Sequence, residues 1–236
     1  MTVEGQTVIV FGGSSGIGAA TATLLAERGA SVLAVGRDEG RLEALRKSVK
    51  GVKTARADLL RDADLEAVFK TVERVDHVVV TAATLPAGPI VGSSLAALRL
   101  PFEERVFALL RIVQLAVPKM KAGSFVFTSG TLPHRPAPGM GLVGAAISAV
   151  EHLARVLALE LAPIRANVIA PGVIATDLLR NVVGDQWEAT LAHLSEQLPG
   201  KRAGTPRETA EAIHLLLTNE FINGEVLSID GAGRFV

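Results

Sequence analysis

Short apolar runs recur along the chain, separated by longer stretches in which apolar residues follow helical spacing. The runs are rich in β-branched residues and contain few polar positions, as is typical of strands covered by helices on both faces. Seven runs therefore predict β-strands: Thr7–Phe11, Ser31–Val35, Lys53–Ala57, His77–Thr81, Ser124–Thr128, Arg165–Ala170 and Glu225–Ile229.

The stretches between the runs predict six helices, and Gly29 and Pro163 mark the ends of two of them. Because strands and helices alternate, we expect parallel strands joined by crossover helices. No linker, repeat or shift in composition divides residues 1–236, which favours one doubly wound α/β domain of the Rossmann kind. The predicted helices are Ala19–Arg28, Arg41–Val49, Asp64–Val72, Phe102–Met120, Leu142–Leu161 and Arg207–Leu217.

Two irregular segments follow predicted strands. Thr131–Gly141 contains three prolines and two glycines, and residues 176–205 contain a helical pattern at Trp187–Leu198. Ligands bind at the carboxyl edge of such sheets, so these segments are candidates for a pocket wall and a substrate lid. Ordinary surface connections are the alternative interpretation of both.

Composition excludes several classes of protein. The 236 residues include 24 Lys+Arg and 24 Asp+Glu, and this balance gives no basic patch for a nucleic acid or an anionic membrane. The absence of Cys excludes disulfides and thiolate chemistry. Since we see neither a signal-peptide pattern nor an unbroken apolar run of about 20 residues, we expect a soluble cytoplasmic protein.

A glycine-rich turn carries the clearest chemical signal. The first predicted strand leads directly into Gly12-Gly13-Ser14-Ser15-Gly16-Ile17-Gly18 and then into a helix. Glycines at this place let the backbone approach a pyrophosphate, whose charge is stabilised by the helix N-terminus. Ser14 and Ser15 can add hydroxyl donors, so the turn predicts a dinucleotide site.

The end of the second predicted strand indicates which dinucleotide binds. A carboxylate there would accept hydrogen bonds from the ribose hydroxyls of NAD, but the residues are Gly36 and Arg37. A guanidinium can bind the 2′-phosphate of NADP(H), and a solvated Arg37 is the alternative. Asp38 comes one position later and is expected to point away.

The glycine spacing resembles that of the short-chain dehydrogenase/reductase family, and the resemblance extends over almost the whole chain. Asp58 and Leu59 of this chain resemble the pair of residues that flanks the adenine in that family. Asn167–Gly172, together with Thr176, resembles the segment that holds the nicotinamide carboxamide. The resemblance implies a nicotinamide-dependent oxidoreductase. The residues expected at the cofactor are Gly12, Ser14, Ser15, Gly16, Ile17, Gly18, Arg37, Asp58, Leu59, Ala82, Pro171, Gly172 and Thr176.

The family's catalytic Asn, Ser, Tyr and Lys are missing. The chain contains no Tyr, and Val143 and Ile147 occupy the positions that match the Tyr and the Lys. Gly130 matches the Ser, although a shift by one residue would place Ser129 there, and Arg105 matches the Asn. Phe11 and the segment Val80–Ala83 also replace polar residues that join the central strands in the family.

The catalytic residues are therefore unknown. His134, Arg135 and Arg105 are the charged or titratable groups expected near the nicotinamide, and a structural or solvated role is the alternative for each. The histidines lack metal-ligand spacing, so no metal site is predicted.

Two functions remain open. One is an atypical NADP(H)-dependent oxidoreductase for a carbonyl or alcohol, and the other is a catalytically inactive NADP(H)-binding regulator or partner subunit. Substrate identity is not predicted, because it depends on residues 85–100 and the lid. The long helices Phe102–Met120 and Leu142–Leu161, of which the second is Ala-rich with few charges, predict a homodimer or homotetramer.

Overall fold

A computed structural model describes residues 2–236, without the side chains at positions 182 and 183. Seven parallel strands form one sheet in the order β3-β2-β1-β4-β5-β6-β7. Every predicted strand is confirmed to within one residue at each end, and so is the doubly wound α/β fold. The strands are β1 Thr7–Phe11, β2 Ser31–Gly36, β3 Val52–Arg56, β4 His77–Val80, β5 Ser124–Thr128, β6 Arg165–Pro171 and β7 Val226–Ile229.

Helices cover both faces of the sheet, and the alternation of side chains along each strand supplies two cores. In β1, Ile9 and Phe11 pack in the core on one face, whereas Val8 and Val10 pack in the core on the other. This two-sided burial explains why the strands are apolar throughout. The helices are α1 Gly16–Glu27, α2 Glu39–Ser48, α3 Asp62–Lys70, α4 Leu95–Phe102, α5 Ala108–Ala116, α6 Gly141–Glu160, α7 Asp177–Val183, α8 Trp187–Gln197 and α9 Pro206–Thr218.

The predicted helix Phe102–Met120 differs from the structure. Helix α4 begins earlier, where the Ser94 hydroxyl accepts a hydrogen bond from the Ala97 backbone N–H at 3.3 Å. A π-helical turn, Glu103–Phe107, then joins α4 to α5. Pro101 lies inside α4. Because proline lacks the backbone N–H and disfavours the interior of a helix, the sequence does not predict a helix that includes it.

Helix α6 is long and apolar enough to cross a membrane by length and composition. Ala146, Val150 and Ala154 on this helix are nevertheless buried in the core against the sheet. Burial against the sheet accounts for much of its apolar character.

The strand order reverses between β1 and β4, because β1 continues to β2 on one side and to β4 on the other. In doubly wound folds this reversal opens a crevice at the carboxyl ends of the strands. The glycine-rich turn after β1 and the segment after β4 lie at this edge.

Candidate functional site

A cavity of about 520 Å³ lies at the carboxyl edge of the sheet, next to the glycine-rich turn. It brings together most of the residues predicted to bind a cofactor. Of these, the cavity is lined by Gly12, Ser14, Ser15, Gly16, Ile17, Gly18, Arg37, Asp58, Leu59, Ala82 and Thr176.

Pro171 and Gly172 do not line this cavity. The Gly172 backbone N–H donates to the Ile229 carbonyl at 3.0 Å, and a Cβ at position 172 would lie 2.7 Å from the Asp230 Cα. Gly172 is thus explained by close packing against the segment that follows β7.

The glycine-rich turn leaves no room for a side chain at Gly12 or Gly18. Gly12 has φ +86°, and a Cβ added there would lie 2.6 Å from the Ala82 backbone nitrogen. A Cβ at Gly18 would lie 2.1 Å from the Gly12 carbonyl oxygen. Helix α1 begins at Gly16, and the Ser15 side chain forms no cap hydrogen bond. The open backbone and the helix N-terminus together fit a pyrophosphate group.

Gly36, at the end of β2, packs closely against the glycine-rich turn, a contact that the sequence does not predict. A Cβ at position 36 would lie 2.6 Å from the Ser14 Oγ, so the residue makes room for the glycine-rich turn itself. A carboxylate side chain at this position would displace Ser14. Arg37 follows as an exposed residue that lines the cavity.

Asp38 caps helix α2, since its Oδ1 accepts a hydrogen bond from the Arg41 backbone N–H at 3.0 Å. The prediction that Asp38 points away is wrong in one respect, because Asp38 also lines the cavity. Arg41 lines it too, and the sequence analysis missed this residue. Its place in the first turn of α2, four residues after Arg37, was the available signal.

Asp58 shapes the loop after β3. Its Oδ1 accepts a hydrogen bond from the Leu60 N–H at 3.1 Å, and its own N–H donates to the Asp64 carboxylate at 3.0 Å. These contacts hold Asp58 and Leu59 at the cavity.

Two hydroxyl groups join the central strands, which corrects the expectation that such polar contacts are lost. The Thr81 Oγ1 donates to the Phe11 carbonyl at 3.0 Å, and the Thr128 Oγ1 donates to the Val80 carbonyl at 2.9 Å. Phe11 itself is fully buried, with its ring centroid 6.0 Å from that of Phe69.

Two consecutive residues of the π-helical turn bind Thr84, which follows β4 and lines the cavity. Glu104 Oε2 accepts from the Thr84 backbone N–H at 3.1 Å and from its hydroxyl at 2.6 Å. The Arg105 guanidinium donates to the Thr84 carbonyl. Glu104 is buried and lines the cavity, yet sequence reasoning missed it. Its position beside Arg105, which matches the family's Asn, was the available signal.

Three of the four positions that match the family's catalytic residues, Gly130, Val143 and Ile147, carry no polar side chain. Val143 and Ile147 are each 2% exposed. A Cβ at Gly130 would lie 3.6 Å from the Ile147 Cδ1, which is an ordinary contact distance. Ser129 is not available as a substitute, because its hydroxyl donates to the buried Glu151 carboxylate at 2.8 Å.

The three candidate catalytic residues lie in different surroundings. His134 and Arg135 are exposed and do not line the cavity, and Arg135 donates to the Gly233 carbonyl at 3.1 Å. Arg105 is 9% exposed, and its Nε has no hydrogen-bond partner. Burial lowers the pKa of Arg105 from its usual value, although the neighbouring Glu104 charge opposes this shift. None of the three residues lines the cavity.

Metal ligands are not clustered in the part of the chain that the structure describes, where no group of three or more His, Asp or Glu side chains could hold an ion. The chemistry that these residues support is binding of an anionic dinucleotide.

Comparison with known proteins identifies the family. A family model described as enoyl-(acyl carrier protein) reductase matches residues 12–232. The chain is 32% identical over 256 residues to the short-chain dehydrogenase/reductase ATR9 of Stachybotrys chlorohalonatus, in an alignment that covers 100% of this chain and 99% of the relative. It is 30% identical over 249 residues to the short-chain dehydrogenase/reductase malC of Malbranchea aurantiaca, with 95% and 93% covered. The chain therefore belongs to the short-chain dehydrogenase/reductase family of oxidoreductases.

Solved structures show the same similarity. The MalC reductase/Diels-Alderase from Malbranchea aurantiaca superposes with a TM-score of 0.92 at 28% identity, covering 99% of this chain and 98% of that one. The L-sorbose reductase from Gluconobacter frateurii, solved with NADPH and L-sorbose, gives 0.91 at 25% identity, with 98% and 97% covered.

Proposed function

We propose that this protein binds NADP(H) in preference to NAD(H) and acts as an atypical oxidoreductase on a carbonyl or alcohol substrate. The observation that carries this proposal is the cavity in which the glycine-rich turn meets Gly36 and Arg37. Arg37 offers a guanidinium where an NAD-specific site would place a carboxylate. A relative whose structure was solved with NADPH supports the same choice.

When bound, the nicotinamide group supplies or accepts the hydride. Reduction of a ketone also requires that the new alkoxide be protonated or stabilised. Val143 and Ile147 have no proton to give and lie buried, and Gly130 has no hydroxyl to hold the substrate oxygen. Arg105 is the buried cation at the position of the family's Asn, and it can act electrostatically because a guanidinium does not readily lose its proton.

A second function, a non-catalytic NADP(H)-binding regulator or partner subunit, is favoured by the lack of a polar side chain at Gly130, Val143 and Ile147. The cofactor cavity retains its tight glycine turn, whereas the positions of the proton donor and of its partner are closed to water. Both functions require the same cofactor, so binding is the first property to test.

Calorimetric titration with NADP⁺ and NAD⁺ tests the proposal. A charge-assisted phosphate contact contributes about 1.5–3 kcal/mol, so we expect NADP⁺ to bind roughly ten- to a hundredfold more tightly. Arg37→Ala should remove most of this preference. Gly18→Ala should weaken both cofactors, because its Cβ would meet the Gly12 carbonyl.

Two matched controls accompany these variants. Arg56→Ala removes an exposed guanidinium that does not line the cavity, and Gly200→Ala adds a Cβ where no atom lies within 4 Å. Neither control should alter binding. Equal affinities for the two cofactors, or an Arg37→Ala variant that keeps the preference, would contradict the proposal.

A further inference from the structure

Arg41 lies between two carboxylates at the cavity. Its Nε is 3.5 Å from Asp38 Oδ2, and its Nη1 is 3.2 Å from Asp177 Oδ2. Asp38 caps α2 and Asp177 is the first residue of α7, so the pair with Asp177 connects these two helices. All three side chains line the cavity.

The ion pair between Arg41 and Asp177 is suited to exchange of partners. The Arg41 side chain is 45% exposed and that of Asp177 is 50% exposed, and ion pairs with this exposure are weak. A phosphate monoester carries up to two negative charges and three acceptor oxygens, whereas a carboxylate carries one charge and two oxygens. A phosphate that reaches Arg41 would therefore compete well with Asp177.

Arg37 is the other cation of this region, and it forms no ion pair within 4 Å among the described residues. It is thus already available to an anion, whereas Arg41 is occupied. A phosphate at Arg41 would compete with Asp177 for the guanidinium.

We propose that Arg41 is a specificity-determining residue that exchanges Asp177 for the 2′-phosphate of the cofactor. Asp177 is then a competitor that reduces the affinity for NADP(H) and leaves the affinity for NAD(H) almost unchanged. The 2′-phosphate also releases the connection between α2 and α7, which a cofactor without this phosphate leaves intact. This inference rests on the proposed preference for NADP(H).

A double-mutant cycle tests the exchange by calorimetric titration with NADP⁺ and NAD⁺. We expect Arg41→Gln to weaken NADP⁺ binding about five- to tenfold and NAD⁺ binding less than twofold. Asp177→Asn should strengthen NADP⁺ binding about two- to fivefold, the range of an exposed ion pair. In the double variant, the gain from Asp177→Asn should disappear, because Arg41 is no longer present to be released.

Two controls exclude general effects of charge. Arg46→Gln removes an exposed guanidinium of the same helix that pairs with Glu43 and does not line the cavity. Glu211→Gln neutralises an exposed carboxylate of the pair with Arg28, which also lies outside the cavity. Both should bind the two cofactors as the unmodified protein does, and circular dichroism should show that every variant is folded.

Three results would overturn the inference while leaving the proposed function intact. These are an Arg41→Gln variant with unchanged NADP⁺ affinity, an equal loss for NAD⁺, and a gain from Asp177→Asn that persists without Arg41. The last would mean that Asp177 repels the phosphate directly. If the unmodified protein binds neither cofactor, the proposed function fails first, and the inference fails with it.

Discussion

Glu104 holds Thr84 by both its backbone N–H and its hydroxyl, through the single oxygen Oε2. The contact joins the π-helical turn to the segment after β4, and both residues line the cavity. A buried carboxylate with two donors fixes this segment more firmly than a neutral acceptor would.

Replacement of Glu104 should therefore reduce stability. Hydrogen bonds to a charged group contribute about 1.5–3 kcal/mol, so we expect Glu104→Gln to lower the free energy of unfolding by about 1–3 kcal/mol. Urea denaturation measures this change. Glu103→Gln is the matched control, because Glu103 is the exposed neighbour in the same turn. Equal stabilities of the two variants would show that the contact with Thr84 adds nothing.

Ordinary ketone reduction should be very slow. A positioned general acid contributes about 10²–10⁴-fold and an oxyanion donor about 10²–10³-fold, and Val143, Ile147 and Gly130 supply neither. A screen of carbonyl compounds with NADPH, and of alcohols with NADP⁺, measures the remaining turnover. Cofactor binding must be confirmed in the same samples, so that an inactive site is distinguished from an empty one.

Three variants locate any turnover that the screen detects. We expect His134→Ala and Arg135→Ala to retain it, because both side chains are exposed to solvent, whereas Arg105 is buried. Arg105→Lys should reduce it if the buried guanidinium stabilises the developing charge. Loss of turnover in His134→Ala, with cofactor binding unchanged, would instead identify His134 as the substitute proton carrier. Turnover that survives all three changes would show that the reaction takes place elsewhere.

The fold can be predicted from the sequence because strands that are buried on both faces of the sheet consist of apolar residues. A strand such as Val8–Phe11 must be apolar at every position when helices cover it on both sides. The glycine-rich turn can also be predicted from the sequence, since Gly12 and Gly18 occupy positions where no Cβ fits.

The remaining parts of the site depend on distant contacts. The contact from Glu104 to Thr84 spans 20 residues and requires a π-helical turn, which the spacing of apolar residues does not predict. His134 was expected at the nicotinamide because its segment follows β5, but the conformation of an irregular segment is not encoded in a repeating pattern.

The protein should lose stability in mild acid because of His77. Its Nδ1 lies 2.9 Å from the Ser124 Oγ and its Nε2 lies 2.9 Å from the Gln6 Oε1. Burial is the main cause that lowers the pKa of His77 to about 4, and the charge of Arg165 adds to it. The pKa in the unfolded chain is about 6.5, so the stabilisation is complete above that pH and is lost as the pH falls toward 4.

The difference between the two pKa values corresponds to about 3 kcal/mol, since one pKa unit is about 1.4 kcal/mol. Urea denaturation at several pH values between 7.5 and 4.5 measures the loss, with His77→Gln as the comparison that does not titrate. The free energy of unfolding should depend less on pH in the variant. Parallel pH profiles would rule out His77 as the source.

Self-association should occur through the helices predicted from the sequence. Phe107, within the predicted helix Phe102–Met120, is 56% exposed, and Leu159 on α6 is 82% exposed. We expect light scattering to give the mass of a dimer or tetramer at micromolar concentration. Phe107→Glu should shift the mass toward the monomer, whereas Phe221→Glu, outside these helices, should retain at least a dimer. A monomeric unmodified protein would contradict the prediction.

The π-helical turn lets the segment between α4 and α5 hold one more residue than a regular helix would. Deletion of one residue within Glu103–Phe107 would therefore restore regular winding with little rotation of α4 relative to α5. Glu104 and Arg105 would nevertheless move within the turn and lose their contacts with Thr84. We therefore expect such a deletion to preserve the fold and to disturb mainly the segment that follows β4.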